Sequence, residues 1–196
     1  MHDGLWDKID ALDVAKISER LELPCAATFE GFEITFIYRV FEVDFKHREI
    51  RRLDQAGQPV PAEFLEQLCI LSYLIHAQNG PLAGKLVKGE QLEAGQFFFR
   101  GHHSLPVQDL VDAFGDDPKK LLCVAQDLGG RLCDYGDVSL EIMLLPDTPV
   151  TFIVWGADDE FPASGSILFD ETVARQLPLD ALLAAVNLAM KRVAPK

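Results

Sequence analysis

The chain has 196 residues, 48% of them hydrophobic and 25% charged, with a net charge of −13. That balance is the composition of an ordinary folded domain with ample chain for a core, which excludes a disordered segment. No apolar run approaches the roughly 20 residues needed to span a bilayer, and the acidic field repels phosphate backbones, so neither membrane nor nucleic acid is expected as a partner.

The charge is concentrated. Residues 106–180 carry fifteen acids against four basic side chains. Such a field suits a small cation or a protein partner with a basic surface, or simply keeps the molecule dispersed in solution. The opening Met-His-Asp-Gly-Leu-Trp-Asp lacks the basic-then-apolar pattern of a secretion signal, so a cytoplasmic location is expected. In that setting the four cysteines, at 25, 69, 123 and 133, are expected as reduced thiols, with Cys69 and Cys123 on apolar helix faces. None forms Cys-x-x-Cys, and their scatter fits neither a zinc nor an iron–sulfur set.

In chain order, residues 4–22 carry an approximate helical stripe of Leu5, Ile9, Leu12, Ile17 and Leu21, restarted by Asp13 as N-cap and closed by Pro24. From residue 31 to 52 the period changes. Ile34, Phe36 and Tyr38, then Phe41, Val43 and Phe45, alternate as strand faces do, with the bend expected at Tyr38-Arg39-Val40. After a turn-rich connector, residues 61–78 form the most apolar helix, wide enough in its apolar face to be central, stopped by Asn79-Gly80-Pro81. A short strand is expected at 85–88 and another at 96–100, the latter leading into Gly101-His102-His103.

Helices are expected at 106–114 and 118–128, the second with Asp117 as N-cap, Pro118 at its first position and Gly129 closing it. Strands come next at 137–145, 150–155 and 166–169, and an amphipathic helix at 180–192 ends the pattern. Runs of helix and strand without strict alternation predict an α+β fold, a mainly antiparallel sheet packed against helices, as a single domain over residues 1–196.

Chemistry could reside in three places. The first is Asp158-Asp159-Glu160, between two apolar runs, with Asp170 and Glu171 beyond them. Adjacent strand residues point to opposite faces, so these acids converge only if the backbone turns, as Gly156 and Pro162 allow. Oxygen-rich sites suit Mg²⁺ or Ca²⁺, but the spacing matches no calcium loop, and a solvated turn explains the acids equally. The second is His102-His103, which could share one metal only from a loop; His-Glu-x-x-His is absent, and a surface or hydrogen-bonded role is the plain alternative. The third is the stretch from Leu128-Gly129-Gly130 to Gly136-Asp137, two backbone-tight turns that fit neither a phosphate loop nor a dinucleotide fingerprint. No Gly-x-Ser-x-Gly is present.

Several blocks, taken in order, carry a resemblance: residues 64–73 with Gly80-Pro81-Leu82-Ala83-Gly84, then Gly95-Gln96-Phe97-Phe98, Leu128-Gly129-Gly130, Gly136-Asp137 and Leu145-Pro146. The most specific are Trp155-Gly156-Ala157-Asp158-Asp159-Glu160-Phe161-Pro162-Ala163 and Ile167-Leu168-Phe169-Asp170. Together they resemble the bacterial and archaeal family called domain of unknown function 3786, from about the first helix to Asp180. The resemblance implies no catalytic residue to carry over. Relatives that join this domain to a cysteine-rich iron–sulfur module, mostly in anaerobes, imply a setting in redox or corrinoid-linked metabolism. The four scattered cysteines depart from that arrangement.

These readings converge on a binding or accessory module with an acidic site. Asp158, Asp159 and Glu160 would meet Asp137, with His102, His103 and Asp170 as further members, to hold a cation or receive a partner's basic groups. One alternative is a metal-assisted hydrolase or transferase with Asp158 or Glu160 as ligands and His103 as ligand or base. The other makes the stretch a structural hinge, with Phe161-Pro162-Ala163 packing the turn and Asp170 capping a helix that begins at Glu171.

Overall fold

The computed structural model describes residues 2–23, 30–54 and 56–195. Two short helices, α1 (Asp3–Asp10) and α2 (Val14–Leu21), open the chain, and Asp13 caps α2 by accepting from the Ala15 amide at 2.9 Å. Pro24, expected to close this segment, and Cys25 lie outside the described residues.

Four strands then form an antiparallel meander: β1 (Gly31–Phe36), β2 (Arg39–Asp44), β3 (Glu49–Leu53) and β4 (Pro59–Pro61), in that order across the sheet. Pairing of Phe32 with Val43, Ile34 with Phe41 and Val43 with Ile50 collects these apolar side chains on one face, all buried. The β1–β2 turn falls on Ile37-Tyr38, one residue earlier than the sequence suggests, so Arg39 and Val40 already belong to β2. Both turn residues have positive φ, 45° and 61°. That matches the right-handed twist of the strands but is unusual for any residue other than glycine, and more so for a β-branched one.

Helix α3 (Phe64–His76) buries Cys69, Ile70, Leu71, Tyr73 and Leu74 and packs with α1, α2 and the final helix, α7 (Leu179–Val193). Its first residue departs from the expected burial. Phe64 is half exposed and carries the His2 ring 4.2 Å from its own. Arg20 donates to the carbonyls of Leu74 and Ile75, satisfying the last turn before Pro81.

The second half of the chain builds a five-stranded antiparallel sheet in the order β5-β9-β8-β7-β6. Its members are β5 (Leu86–Lys88), β6 (Arg131–Cys133), β7 (Val138–Met143), β8 (Pro149–Trp155) and β9 (Ser164–Asp170). One face carries Phe169, Val150 and Ile142 in one cross-strand row and Ile167, Phe152 and Leu140 in the next, all buried. Helix α5 (Val107–Phe114) lies on β8 and β9, and α6 (Lys120–Asp127) on β6 and β7. The expected α+β architecture with antiparallel sheets is therefore present, with two sheets.

Two expectations are corrected. Residues 96–100 are not a strand; Gly95–Phe98 is a single helical turn, α4. Three contiguous phenylalanines carry no period that could distinguish the two. The turn arises because Ala94 adopts positive φ and Gly95 lies against the Gly89 carbonyl, where a Cβ would come within 2.0 Å of the oxygen. Phe97 then points out and is 80% exposed, whereas Phe99 is buried and stacks near Phe169. Cys123 is exposed, because α6 buries Leu121 and Ala125 instead. Cys69 is buried as expected, its thiol donating to the Ala181 carbonyl at 3.4 Å, and burial pushes its pKa up. Cys69, Cys123 and Cys133 are free thiols.

Candidate functional site

Three loops meet at one end of the five-stranded sheet. The β8–β9 hairpin loop, 156–163, carries Asp158, Asp159 and Glu160; the α5–α6 loop carries Asp116 and Asp117; the β6–β7 turn carries Asp134 and Asp137. The Gly156 amide donates to the Asp137 carboxylate at 2.8 Å, and the Ala157 amide to the Gly115 carbonyl at 3.4 Å. The β6–β7 turn sits close on β8 because Gly136, at φ 61°, has no Cβ. One there would stand 2.7 Å from the Ile153 methyl and 2.9 Å from the Val154 carbonyl.

Within the hairpin loop, Asp158 holds the turn. Its Oδ1 accepts from the amides of Glu160 at 2.8 Å and Phe161 at 2.7 Å, while its own amide donates to the Phe161 carbonyl at 3.0 Å. This is the Asx geometry that short acidic side chains impose on a turn. Asp159 and Glu160 are exposed beside it. Seven carboxylates thus share one end of the sheet, with Lys119 and Lys120 at the start of α6. Three large side chains stand among them in solvent: Phe161 at 66%, Tyr135 at 48% and Trp155 at 38% exposure. The hinge reading expects Phe161 to pack the turn; it does not, and Ala163 is the residue that faces Gly115.

The other expected members stand apart. Asp170 ends β9, six residues from its start at Ser164 and so roughly 20 Å along the strand from the hairpin loop. It is buried and accepts four hydrogen bonds: from the amides of Ala83 at 3.0 Å, Gly84 at 2.7 Å and Thr172 at 3.0 Å, and from the Thr172 hydroxyl at 2.6 Å. Burial acts to raise its pKa, but the bonds from Thr172, Ala83 and Gly84 outweigh it and hold the carboxyl below its usual value. No α-helix begins at Glu171. The chain instead enters a 3-10 turn, Val173–Arg175, so Asp170 organises a turn and clamps the 83–84 loop.

His102 and His103 lie in another 3-10 turn, Gly101–His103, both exposed, with the His103 ring stacked on Phe98 at 4.7 Å. That turn precedes α5 and the acidic 115–117 loop comes after it, so a helix of about 12 Å separates them. Of the residues named from sequence, only Asp137 joins Asp158, Asp159 and Glu160. Among the described residues no three His, Cys, Asp or Glu side chains gather as metal ligands. No helix among them is long and apolar enough to cross a membrane.

Sequence reasoning missed Asp116, Asp117, Trp155 and Phe161 as parts of this surface. The signal that could have found them is the α5–α6 break at Gly115: a loop closing a helix that covers β8 and β9 must end near one end of those strands.

No curated protein and no solved structure matches the chain. The family model described as Domain of unknown function (DUF3786) matches residues 13–192. Matched over nearly its whole length, with both the Asp158–Phe161 turn and the Asp170 clamp inside the match, the chain belongs to that family.

Proposed function

We propose that the protein is a binding module whose acidic end of the five-stranded sheet receives a basic, partly apolar surface of a protein partner. The observation that carries this reading is the company of Trp155, Tyr135 and Phe161 with seven exposed carboxylates on three converging loops. Charge alone would serve dispersal in solution. Exposed aromatic rings gain nothing there, whereas at interfaces they supply anchoring area while surrounding charges steer the encounter. Asp158 and Asp137 hold backbone amides and keep the loops in shape, leaving Asp159 and Glu160 to face a partner. The redox- or corrinoid-linked setting implied by the family resemblance is where such a partner would act.

The test is affinity capture from the native host with Asp159→Asn, Glu160→Gln and Phe161→Ser combined in one variant. These three exposed side chains pack against nothing in the core, so the melting temperature should stay within about 2 °C of wild type. A partner with a basic contact surface should be held by wild type, released by added salt, and lost with the variant. Equal recovery of the same protein by wild type and variant would remove this end of the molecule from consideration.

A further inference from the structure

The five-stranded sheet has a second face, opposite the buried rows of Phe169, Val150 and Ile142. The strand register places Asp170, Pro149, Glu141 and Arg131 on it. Laid flat, β5 and β6 would stand roughly 19 Å apart, since three strands lie between them. Yet Leu82 and Leu86 beside one edge, and Leu132 and Tyr135 beside the other, line a single cavity of about 490 Å³. The sheet therefore curls across this face.

A cavity of this size falls within the range of small-ligand sites. Its walls decide what it can hold. They carry four charged residues, Arg131, Asp134, Glu141 and Asp170. Arg131 is matched to Glu141 by two parallel bonds, 3.0 Å from Nε and 2.9 Å from Nη2, so that pair is neutral in sum. Asp170 is buried, and the four donors that hold it ionised are all uncharged. Its Oδ1 accepts three of those bonds and its Oδ2 only the one from Gly84, which leaves an acceptor position open on Oδ2. Asp134 is exposed and takes no hydrogen bond or ion pair among the described residues. Two of the three carboxylates in the walls thus lack a countercharge. Beside Asp134 the Tyr135 ring, 48% exposed, offers the π-face that attracts ammonium groups.

We infer that this cavity binds a protonated amine carried on an apolar stem, with Asp134 and the Tyr135 ring taking the ammonium group and Leu82, Leu86 and Leu132 the stem. An anion would meet two unbalanced carboxylates, and a neutral molecule would leave both without a countercharge. The inference rests on the reading of the acidic end as a surface for basic groups, since Asp134 and Tyr135 belong to both. It adds which basic group is taken and where. A partner's lysine side chain and a free alkylamine offer the same chemistry.

The probe is n-hexylammonium, titrated calorimetrically into the full chain beside n-hexanol and hexanoate, which share its stem. Saturable binding of hexylammonium at one site per chain is expected, with hexanol at least about fivefold weaker, the worth of a partly exposed ion pair, and hexanoate not bound. Asp134→Asn should weaken hexylammonium by a similar factor and leave the melting temperature unchanged, because the side chain is exposed. Leu82→Ser with Leu132→Ser should weaken hexylammonium and hexanol alike. Asp159→Asn with Glu160→Gln removes as much charge outside the cavity and should leave binding unchanged. A blocked pentapeptide with one central lysine separates the two sources: binding assigns the site to a partner's side chain, and its failure where hexylammonium binds assigns it to a free amine. Hexanol or hexanoate binding as tightly as hexylammonium, wild-type affinity in Asp134→Asn, or an equal loss with the Asp159 and Glu160 substitutions would each overturn the assignment. Capture of a basic partner from the host by a chain that binds no hexylammonium would overturn it too, and leave the reading of the acidic end standing.

Discussion

Asp170 and Asp158 are both acids in the most recognisable part of the chain, and both act on the backbone. Asp158 keeps an exposed turn closed. Asp170, nearly inaccessible, joins β9 to a loop 86 residues earlier through Gly84. Its depressed pKa has a signed consequence. A carboxyl whose folded pKa is below its unfolded value stabilises the fold above the unfolded pKa, near 3.9, and that contribution disappears as pH falls through the lowered value. Asp170→Asn should therefore cost about 3 kcal/mol at neutral pH, from weakened charge-assisted bonds to buried donors. In urea titrations the gap to wild type should narrow steadily below about pH 4. A constant gap between pH 7 and pH 3 would mean that the ionised form contributes nothing. Sequence alone offers this acid as one more member of the cluster or as a helix cap, because nothing local in Leu-Phe-Asp reveals four donors arriving from loops on either side.

At the scale of elements, the β1–β2 hairpin shows how the two sheets are joined. The Ile37 amide donates to the Leu144 carbonyl at 2.9 Å, and Arg192 of α7 donates to the Ile37 carbonyl. The same guanidinium lies 3.3 Å from Glu66, which is buried on α3 and also near Arg52 of β3 at 3.6 Å. Burial, aided by Arg39, pulls the Arg192 pKa down to about 10, so it remains charged at neutral pH. Arg192→Met should cost at least about 3 kcal/mol, because Glu66 loses one of its two flanking cations inside the protein. Adding Glu66→Gln should restore much of the loss, and a double-mutant cycle by denaturant unfolding would measure the coupling. Additive costs would show that the pair is not coupled. Long elements were legible in the sequence, α7 and β7 by their period and α3 and β8 by their continuous apolar run. The three-residue strands β4 and β6 were not, since two alternations cannot be told from chance, nor was α4, where three phenylalanines hide the period.

Over the whole molecule, the charge imbalance is geometric as well as numerical. Seven of the acids in residues 106–180 share one end of a sheet because α5, the β6–β7 turn and the β8–β9 hairpin finish there. Their mutual repulsion opposes folding and is screened by salt. The melting temperature should therefore rise by several degrees between about 10 mM and 300 mM sodium chloride; a flat or falling response would show that attractive pairs dominate. Sequence could only suggest Asp137 as a neighbour of Asp158, Asp159 and Glu160, since the contact between their turns is long-range, and it could not separate His102 and His103 from them without α5 between.

The positive-φ tip at Ile37-Tyr38 has a temporal corollary. Its carbonyl is satisfied by a residue 155 positions later in the chain. During synthesis the hairpin emerges before Leu144, which accepts from the Ile37 amide, and long before Arg192, with a turn that its own residues disfavour. The tip of the first hairpin therefore gains the hydrogen bond to its Ile37 carbonyl only after the α7 residues have been made.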